Sequence, residues 1–127
     1  MDYYCARFNN ITYDNAFFGT GSQTESDDGF YNPRDLTRDN QNYLLALDEL
    51  ADESRRIKAF DPTDSTDEIP AESLGGFDLV DIIGPAWKID CSDYMHPTYG
   101  NPLVVMHGDE IDGYYMSIFF PDELPWN

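Results

Sequence analysis

The sequence has few basic residues. Seven lysines and arginines stand against 25 aspartates and glutamates, which gives a formal net charge of −18 at pH 7. A field of that sign opposes compaction by self-repulsion and repels DNA, RNA and anionic membranes. We therefore expect neither direct nucleic-acid binding nor membrane binding. The charge predicts a basic protein as the partner.

Cysteine and long apolar runs are also scarce. The two cysteines, Cys5 and Cys91, are too few for a disulfide framework, although a pairing between them stays open. No apolar run approaches the roughly 18 residues that suggest a membrane span. The first ten residues, MDYYCARFNN, lack the basic and apolar regions of a secretory signal. We expect a cytoplasmic protein, in the host cytosol if a phage encodes it.

Enough apolar residues are present for a hydrophobic core. They make up 41% of the chain, and aromatic residues 15%, so the composition is not that of a disordered tail. A chain of 127 residues is long enough to fold without metal or disulfide support. We predict one acidic domain over residues 1–127.

The stretch from Asn32 to Phe60 has the apolar spacing of an amphipathic helix. Its apolar residues recur at steps of three and four, at Leu36, Tyr43, Leu44, Leu47, Leu50, Ala51 and Ile57. Asn32 suits the N-cap and Pro33 the first helical position, and the Asp61-Pro62 pair ends the pattern. This stretch predicts one long helix that forms the core.

The remaining residues carry strand and turn signals. Strands are predicted at 2–8, 11–13, near 16–19, 87–91, 103–107 and 114–120, and the run 77–83 fits either a strand or a short helix. Loops are predicted at 19–29, 61–76 and 92–102, and the sequence GDEIDG closes a hairpin between the last two strands. The predicted fold is α+β, with a small antiparallel β-sheet of roughly four to six strands packed against one main amphipathic α-helix.

Metal ligands and nucleophiles are few and poorly spaced. The cysteines and histidines are Cys5, Cys91, His96 and His107, and none is paired at a zinc-site spacing. A Cys–His nucleophile formed by Cys91 with either histidine stays open, but no flanking sequence marks an oxyanion loop. The glycine loop at 19–22 lacks the lysine of a phosphate-binding loop. We predict no metal site, no cofactor and no enzymatic activity.

Two acidic stretches are the candidate binding residues. They comprise Asp61, Asp64, Asp67, Glu68 and Glu72 in the connector after the predicted helix, and Asp109, Glu110 and Asp112 at the hairpin turn. A short helical turn over the connector would align several of its carboxylates. Neither stretch has the calcium-loop pattern with its closing glutamate. Solvated loops that keep the protein soluble are the simple alternative.

The uneven distribution of charge favours a binding role for these acids. Residues 61–127 contain fourteen acids and one base, Lys88, whereas residues 1–60 contain eleven acids and six bases. Carboxylates at roughly 6–7 Å spacings on strands or helices resemble successive phosphates of one nucleic-acid strand. We predict a non-enzymatic inhibitor of anti-CRISPR or anti-restriction type, from a phage or mobile element, whose nucleic-acid-mimicking surface blocks a basic nucleic-acid-processing protein.

The acidity also fits two different kinds of protein. An immunity protein that neutralises a basic toxin, such as a nuclease, would have the same size and acidity. A protein adapted to high salt would also have an acidic surface with little lysine, and five arginines against two lysines agree with such an adaptation. Both alternatives stay open.

Overall fold

A computed structural model describes residues 19–66, 68–92 and 95–127, and its secondary structure there is almost entirely β. The first antiparallel sheet contains β1 (Pro33–Arg38), β2 (Leu44–Glu49), β3 (Arg55–Asp61) and β4 (Glu72–Asp78), in that order. The second contains β5 (Ala86–Cys91), β6 (Leu103–Asp109) and β7 (Gly113–Phe119), and a short 3-10 turn, Pro121–Glu123, follows it.

The predicted helix from Asn32 to Phe60 is wrong, and so is the α+β fold that was built on it. These residues instead form β1, β2 and β3, and Pro33 begins a strand rather than a helix. Both faces of β2 and β3 are largely buried. In β2 the four residues Leu44–Leu47 are therefore apolar on both faces, and such a run fits a helix as well as a strand.

Two polar turns break the helical spacing. In the first, the Asp39 carboxylate accepts a 2.9 Å hydrogen bond from the Tyr43 N–H, and Asn42 has a φ of 66°. In the second, the Asp52 carboxylate accepts a 3.0 Å bond from the Ser54 N–H. Aspartate and asparagine favour turns because their side chains bond to nearby backbone groups and tolerate the left-handed conformation. This local chemistry outweighs the helical periodicity.

The predicted C-terminal hairpin is confirmed. Strands β6 and β7 pair without a register shift from Leu103 opposite Phe119 to Asp109 opposite Gly113. Gly108 has a φ of 107°, and a Cβ on it would lie 2.0 Å from the Gly113 carbonyl oxygen, so this close approach requires glycine. The predicted strand at 87–91 is confirmed as part of β5.

Other sequence assignments are confirmed only in part or fall elsewhere. Of the run 77–83, only residues 77 and 78 belong to β4. The predicted connector 61–76 overlaps the end of β3 and the start of β4. The predicted strands at 2–8 and 11–13 lie outside the described residues, as does all of 16–19 except Gly19.

One hydrophobic core lies between the two sheets. Its buried members are Leu45, Leu47, Ile57, Ala59, Leu79, Ala86, Ile89, Leu103, Val105 and Leu124. Phe77 of β4 and Phe119 of β7 extend this core, with their ring centroids 5.6 Å apart in an edge-to-face contact. Side chains of both sheets therefore form this core together.

Strands β1 and β5 lie side by side and connect the sheets through side chains. The Asp35 carboxylate accepts a 2.7 Å hydrogen bond from the Ile89 N–H, and the Thr37 hydroxyl accepts a 3.1 Å bond from the Cys91 N–H. These bonds satisfy backbone donors at the edge of β5 that would otherwise be available to another strand. They also fix the relative direction of the two sheets.

Candidate protein-binding surface

A buried ion pair attaches residues 23–32 to the outer face of the first sheet. Lys58 and Asp48 have no exposed side-chain surface, and Lys58 Nζ lies 2.8 Å from Asp48 Oδ2. Lys58 also donates to the carbonyl oxygens of Ser26 and Gly29, at 2.8 and 2.7 Å. All three ammonium protons thus have acceptors, which is the condition under which a buried charge is tolerated.

The first sheet also pairs most of the other described bases with acids of the same chain. Ion pairs join Arg34 and Arg55 to Glu49, Arg56 to Asp27 and Asp78, and Lys88 to Asp35. The hydrogen bond from Arg56, at 2.6 Å, holds the pKa of Asp27 below its ordinary value. With Lys58, five of the six bases in the described residues are thereby paired with acids of the same chain. The excess negative charge therefore comes from acids that have no such partner.

The acids of the predicted connector lie at one end of the first sheet. Asp61 closes β3 and is paired in register with Glu72 at the start of β4. Asp64 and Glu68 are exposed between these strands. Four of the predicted acids are therefore together at this end. Asp67, the fifth acid of this group, lies outside the described residues.

Asp61 orders this connector by a turn and not by the short helical turn that we predicted. Its carboxylate accepts hydrogen bonds from the hydroxyl and the N–H of Thr63, at 2.6 and 3.0 Å. These two bonds hold the pKa of Asp61 below its ordinary value. Asp61 is therefore charged at neutral pH and fixed in orientation.

The acids of the hairpin turn lie at the opposite end of the molecule. The Asp109 carboxylate accepts hydrogen bonds from the N–H groups of Ile111 and Asp112, at 3.0 and 2.7 Å, which leaves Glu110 and Asp112 exposed at the tip.

Contacts between the sheets show where the hairpin turn lies relative to the connector acids. Arg55 at the start of β3 donates a 2.8 Å bond to the carbonyl of Ala86, which is paired with His107 beside the hairpin turn. Asp61 is at the other end of β3, and the six residue steps from Arg55 to Asp61, at roughly 3.3 Å each, separate the two ends by about 20 Å. The structure does not bring the predicted acids into one patch.

None of the seven described candidate acids forms an ion pair with a base in the described part of the chain. They differ in this respect from Asp27, Asp35, Asp48 and Glu49, each of which forms an ion pair with a base of the same chain. The candidate acids are therefore available to basic groups of another molecule.

The cysteine and histidine side chains do not form the nucleophilic pair that the sequence left open with His107. Cys91 ends β5 opposite Leu103, whereas His107 lies beside Ala86 at the other end of that strand pair. Cys91 is a free thiol, and burial raises its pKa to about 11. A thiol that stays protonated at neutral pH is a poor nucleophile.

His107 instead has a structural environment. Its Nδ1–H donates to the Ile83 carbonyl at 2.8 Å, and its Nε2 lies 2.7 Å from the Ser117 hydroxyl. The ring is buried and stacks on Tyr115. Within residues 19–66, 68–92 and 95–127, no three histidine, cysteine or acidic side chains are grouped so that they could hold a metal ion.

The outer face of the second sheet is a feature that sequence reasoning missed. Tyr114, Met116 and Ile118 of β7 have 68%, 61% and 52% of their surface exposed. The signal was present, because alternate residues of a strand share a face and the segment GYYMSIF has no charge. The sequence pattern predicts the hairpin but not whether both of its faces are covered.

Comparisons of the chain with protein-family models, with curated proteins and with solved structures give no match. Function is therefore inferred from the geometry of this chain. Among the described residues, the protein has no helix of the length and hydropathy needed to cross a membrane.

Proposed function

We propose that the protein is a non-enzymatic inhibitor that occupies a basic nucleic-acid-binding site of another protein with its own carboxylates, in the manner of an anti-CRISPR or anti-restriction protein. The observation that carries this proposal is the division of charge described above. Five of six described bases are neutralised internally, whereas the seven described candidate acids have no internal ion pair. A basic groove attracts such a surface for the same reason that it attracts phosphates.

The separation of the two acidic ends indicates the kind of site that would be occupied. About 20 Å corresponds to roughly six base pairs of B-form duplex, at about 3.4 Å per pair. An elongated groove with basic residues along its length fits this spacing better than a compact pocket. Both ends would then contact lysines and arginines of the same groove.

The orientation of the carboxylates supports the same proposal. Asp61 and Asp109 are each held by two hydrogen bonds from their own turns. A carboxylate fixed before binding loses little conformational freedom when a partner arrives. Each of these acids therefore presents charge at a defined place.

The test is affinity capture from nuclease-treated host lysate at about 100 mM salt, where exposed charges still interact over roughly 10 Å. We expect one nucleic-acid-processing complex, released by competing DNA. The double variant Asp64→Lys/Glu68→Lys should lower its capture at least about tenfold, equivalent to roughly 1.4 kcal/mol.

The matched control is Asp28→Lys/Glu53→Lys, which makes the same change in net charge at exposed acids outside the candidate set. The control should retain capture, and circular dichroism should show that both variants are folded. Equal loss in the two variants would mean that only total charge matters. A toxin as the sole captured partner would instead favour an immunity protein.

A further inference from the structure

The two edges of the second sheet differ in how their backbone groups are satisfied. At the β5 edge, the N–H groups of Ile89 and Cys91 donate to side chains of β1, Asp35 and Thr37. At the other edge, β7 pairs with β6 and with no other strand in the described part of the chain. Within the described residues, one edge is therefore closed and the other is open.

The strand register identifies which residues point to the open edge. The Gly108 N–H donates to the Pro85 carbonyl at 3.0 Å, on the β5 side of the sheet, so Gly108 and Tyr114 form a non-hydrogen-bonded pair. Met116 and Ile118 have the same parity in the register. The backbone N–H and C=O groups of Tyr114, Met116 and Ile118 therefore point away from β6.

The same three residues also present exposed apolar side chains. Exposed edge strands are usually protected by lysine, proline or a bulge, because an unprotected edge pairs with other chains. Strand β7 has none of these devices: its seven residues contain no charge and no proline, and its register is uninterrupted. A strand added at this edge would gain backbone hydrogen bonds and bury apolar surface together.

The surroundings of β7 are acidic. Asp112 precedes the strand and Asp122 follows it. A cleft of about 310 Å³ separates residues 117–119 of β7 from residues 77–82, and Asp81 is part of its lining. An added strand would therefore meet apolar side chains on its outer side and a carboxylate on its inner side.

We propose that β7 binds an extended segment of a basic protein by strand addition, with alternating apolar and lysine or arginine side chains in that segment. This inference rests on the proposed function in so far as the inhibited basic protein supplies the segment. A second copy of the chain suits the edge less well, because antiparallel pairing of two β7 strands puts Asp112 of one chain near Asp122 of the other.

The test compares two substitutions at one position. Met116→Pro removes the outward N–H but no hydrogen bond to β6, so the fold should persist. Met116→Thr keeps that N–H and replaces the long apolar side chain by a short one with a hydroxyl. The probe is a short synthetic peptide of alternating lysine and valine, acetylated and amidated at its ends, and the readout is the change in amide chemical shifts of the ¹⁵N-labelled protein.

With the unsubstituted protein, we expect the largest shifts at Tyr114, Met116 and Ile118, and no binding of a peptide with glutamate in place of lysine. Met116→Pro should weaken peptide binding at least about tenfold, and Met116→Thr less than that. If Met116→Pro does not fold, a peptide N-methylated at alternate residues makes the same test on the unsubstituted protein.

Binding that is equally strong with Met116→Pro or with the N-methylated peptide would overturn strand addition, as would shifts confined to the acidic turns. The two proposals fail separately. Loss of partner capture in Asp64→Lys/Glu68→Lys, together with full capture by Met116→Pro, would support inhibition and reject strand addition. Peptide binding at β7 without capture of any nucleic-acid-processing protein would support strand addition and reject inhibition.

Discussion

The two sheets of this protein differ in whether their outer faces carry paired charges or exposed apolar side chains. The first sheet carries charges on its outer face, but it neutralises them there, and residues 23–32 cover the buried Lys58–Asp48 pair. The second sheet has an uncharged outer strand, with Met116 and Ile118 more than half exposed. The same acidic chain thus has one sheet whose charges are paired within the protein. Its other sheet has an outer strand whose apolar side chains are available for contact with other molecules.

The largest effect on this comparison should come from breaking the buried ion pair. Lys58→Met leaves the fully buried Asp48 carboxylate without its counter-charge, and we expect a loss of about 3–5 kcal/mol in the free energy of unfolding. Urea unfolding followed by circular dichroism measures it. The double variant Lys58→Met/Asp48→Asn should recover part of the loss, because it removes both charges. A loss below about 1 kcal/mol in the single variant would mean that the pair is solvated.

A smaller effect should come from the partly exposed pair of Arg56 with Asp27. Arg56→Met should cost about 1 kcal/mol near pH 6, since solvent screens such pairs. The pKa of Asp27 is lowered in the folded state, so this stability is present above the unfolded-state value of about 3.9 and is lost as the pH falls through the folded-state pKa.

The urea midpoints of the unsubstituted protein and of Arg56→Met should therefore differ at pH 6 and converge below pH 4. A difference that is the same at pH 6 and pH 3 would assign the contribution of Arg56 to packing of its side-chain stem instead of its charge.

The smallest effect should be found on the outer face of the second sheet. Ile118 is 52% exposed, whereas Val105 on the core side of β6 is fully buried. Ile118→Thr should change the free energy of unfolding by less than about 0.5 kcal/mol. Val105→Thr, the matched control, should cost about 1–3 kcal/mol, because it buries a hydroxyl. If Ile118→Thr costs as much as Val105→Thr, the outer face of β7 is covered and is not available for binding.

The sequence predicted the elements whose signals are local. The hairpin of β6 and β7 follows from two runs of apolar, β-branched and aromatic residues around a turn of glycine and acids, and the structure confirms it. The helix prediction failed because the outer faces of β2 and β3 are also buried, so the apolar residues Ala46 and Phe60 on that face obscure the alternation that marks an ordinary strand. Lysine is rarely buried, so only the folded chain shows that the Lys58 side chain is buried.

The candidate acids were chosen from the sequence, and their role in binding stays a prediction, whereas their arrangement comes only from the structure. Counting charges identifies the acids of the connector and of the hairpin turn. Their positions at opposite ends of the molecule depend on how β5 lies beside β1, which involves bonds between residues 54 apart in sequence. The same arrangement decides which edge of the second sheet is open. Side chains of β1 close the edge of β5, and β7 is left as the edge strand in the described part of the chain.

The order of strands has a consequence for how the chain folds. Within each sheet, every strand pairs only with its immediate neighbour in sequence. Closing short loops costs little entropy, so each meander can form early and separately. The bonds from Asp35 and Thr37 to β5 span 54 residues, so bringing the two sheets together is the slow step that topology predicts. Until it is complete, both edges of the second sheet are open, and the nascent protein is most exposed to pairing with the wrong chain.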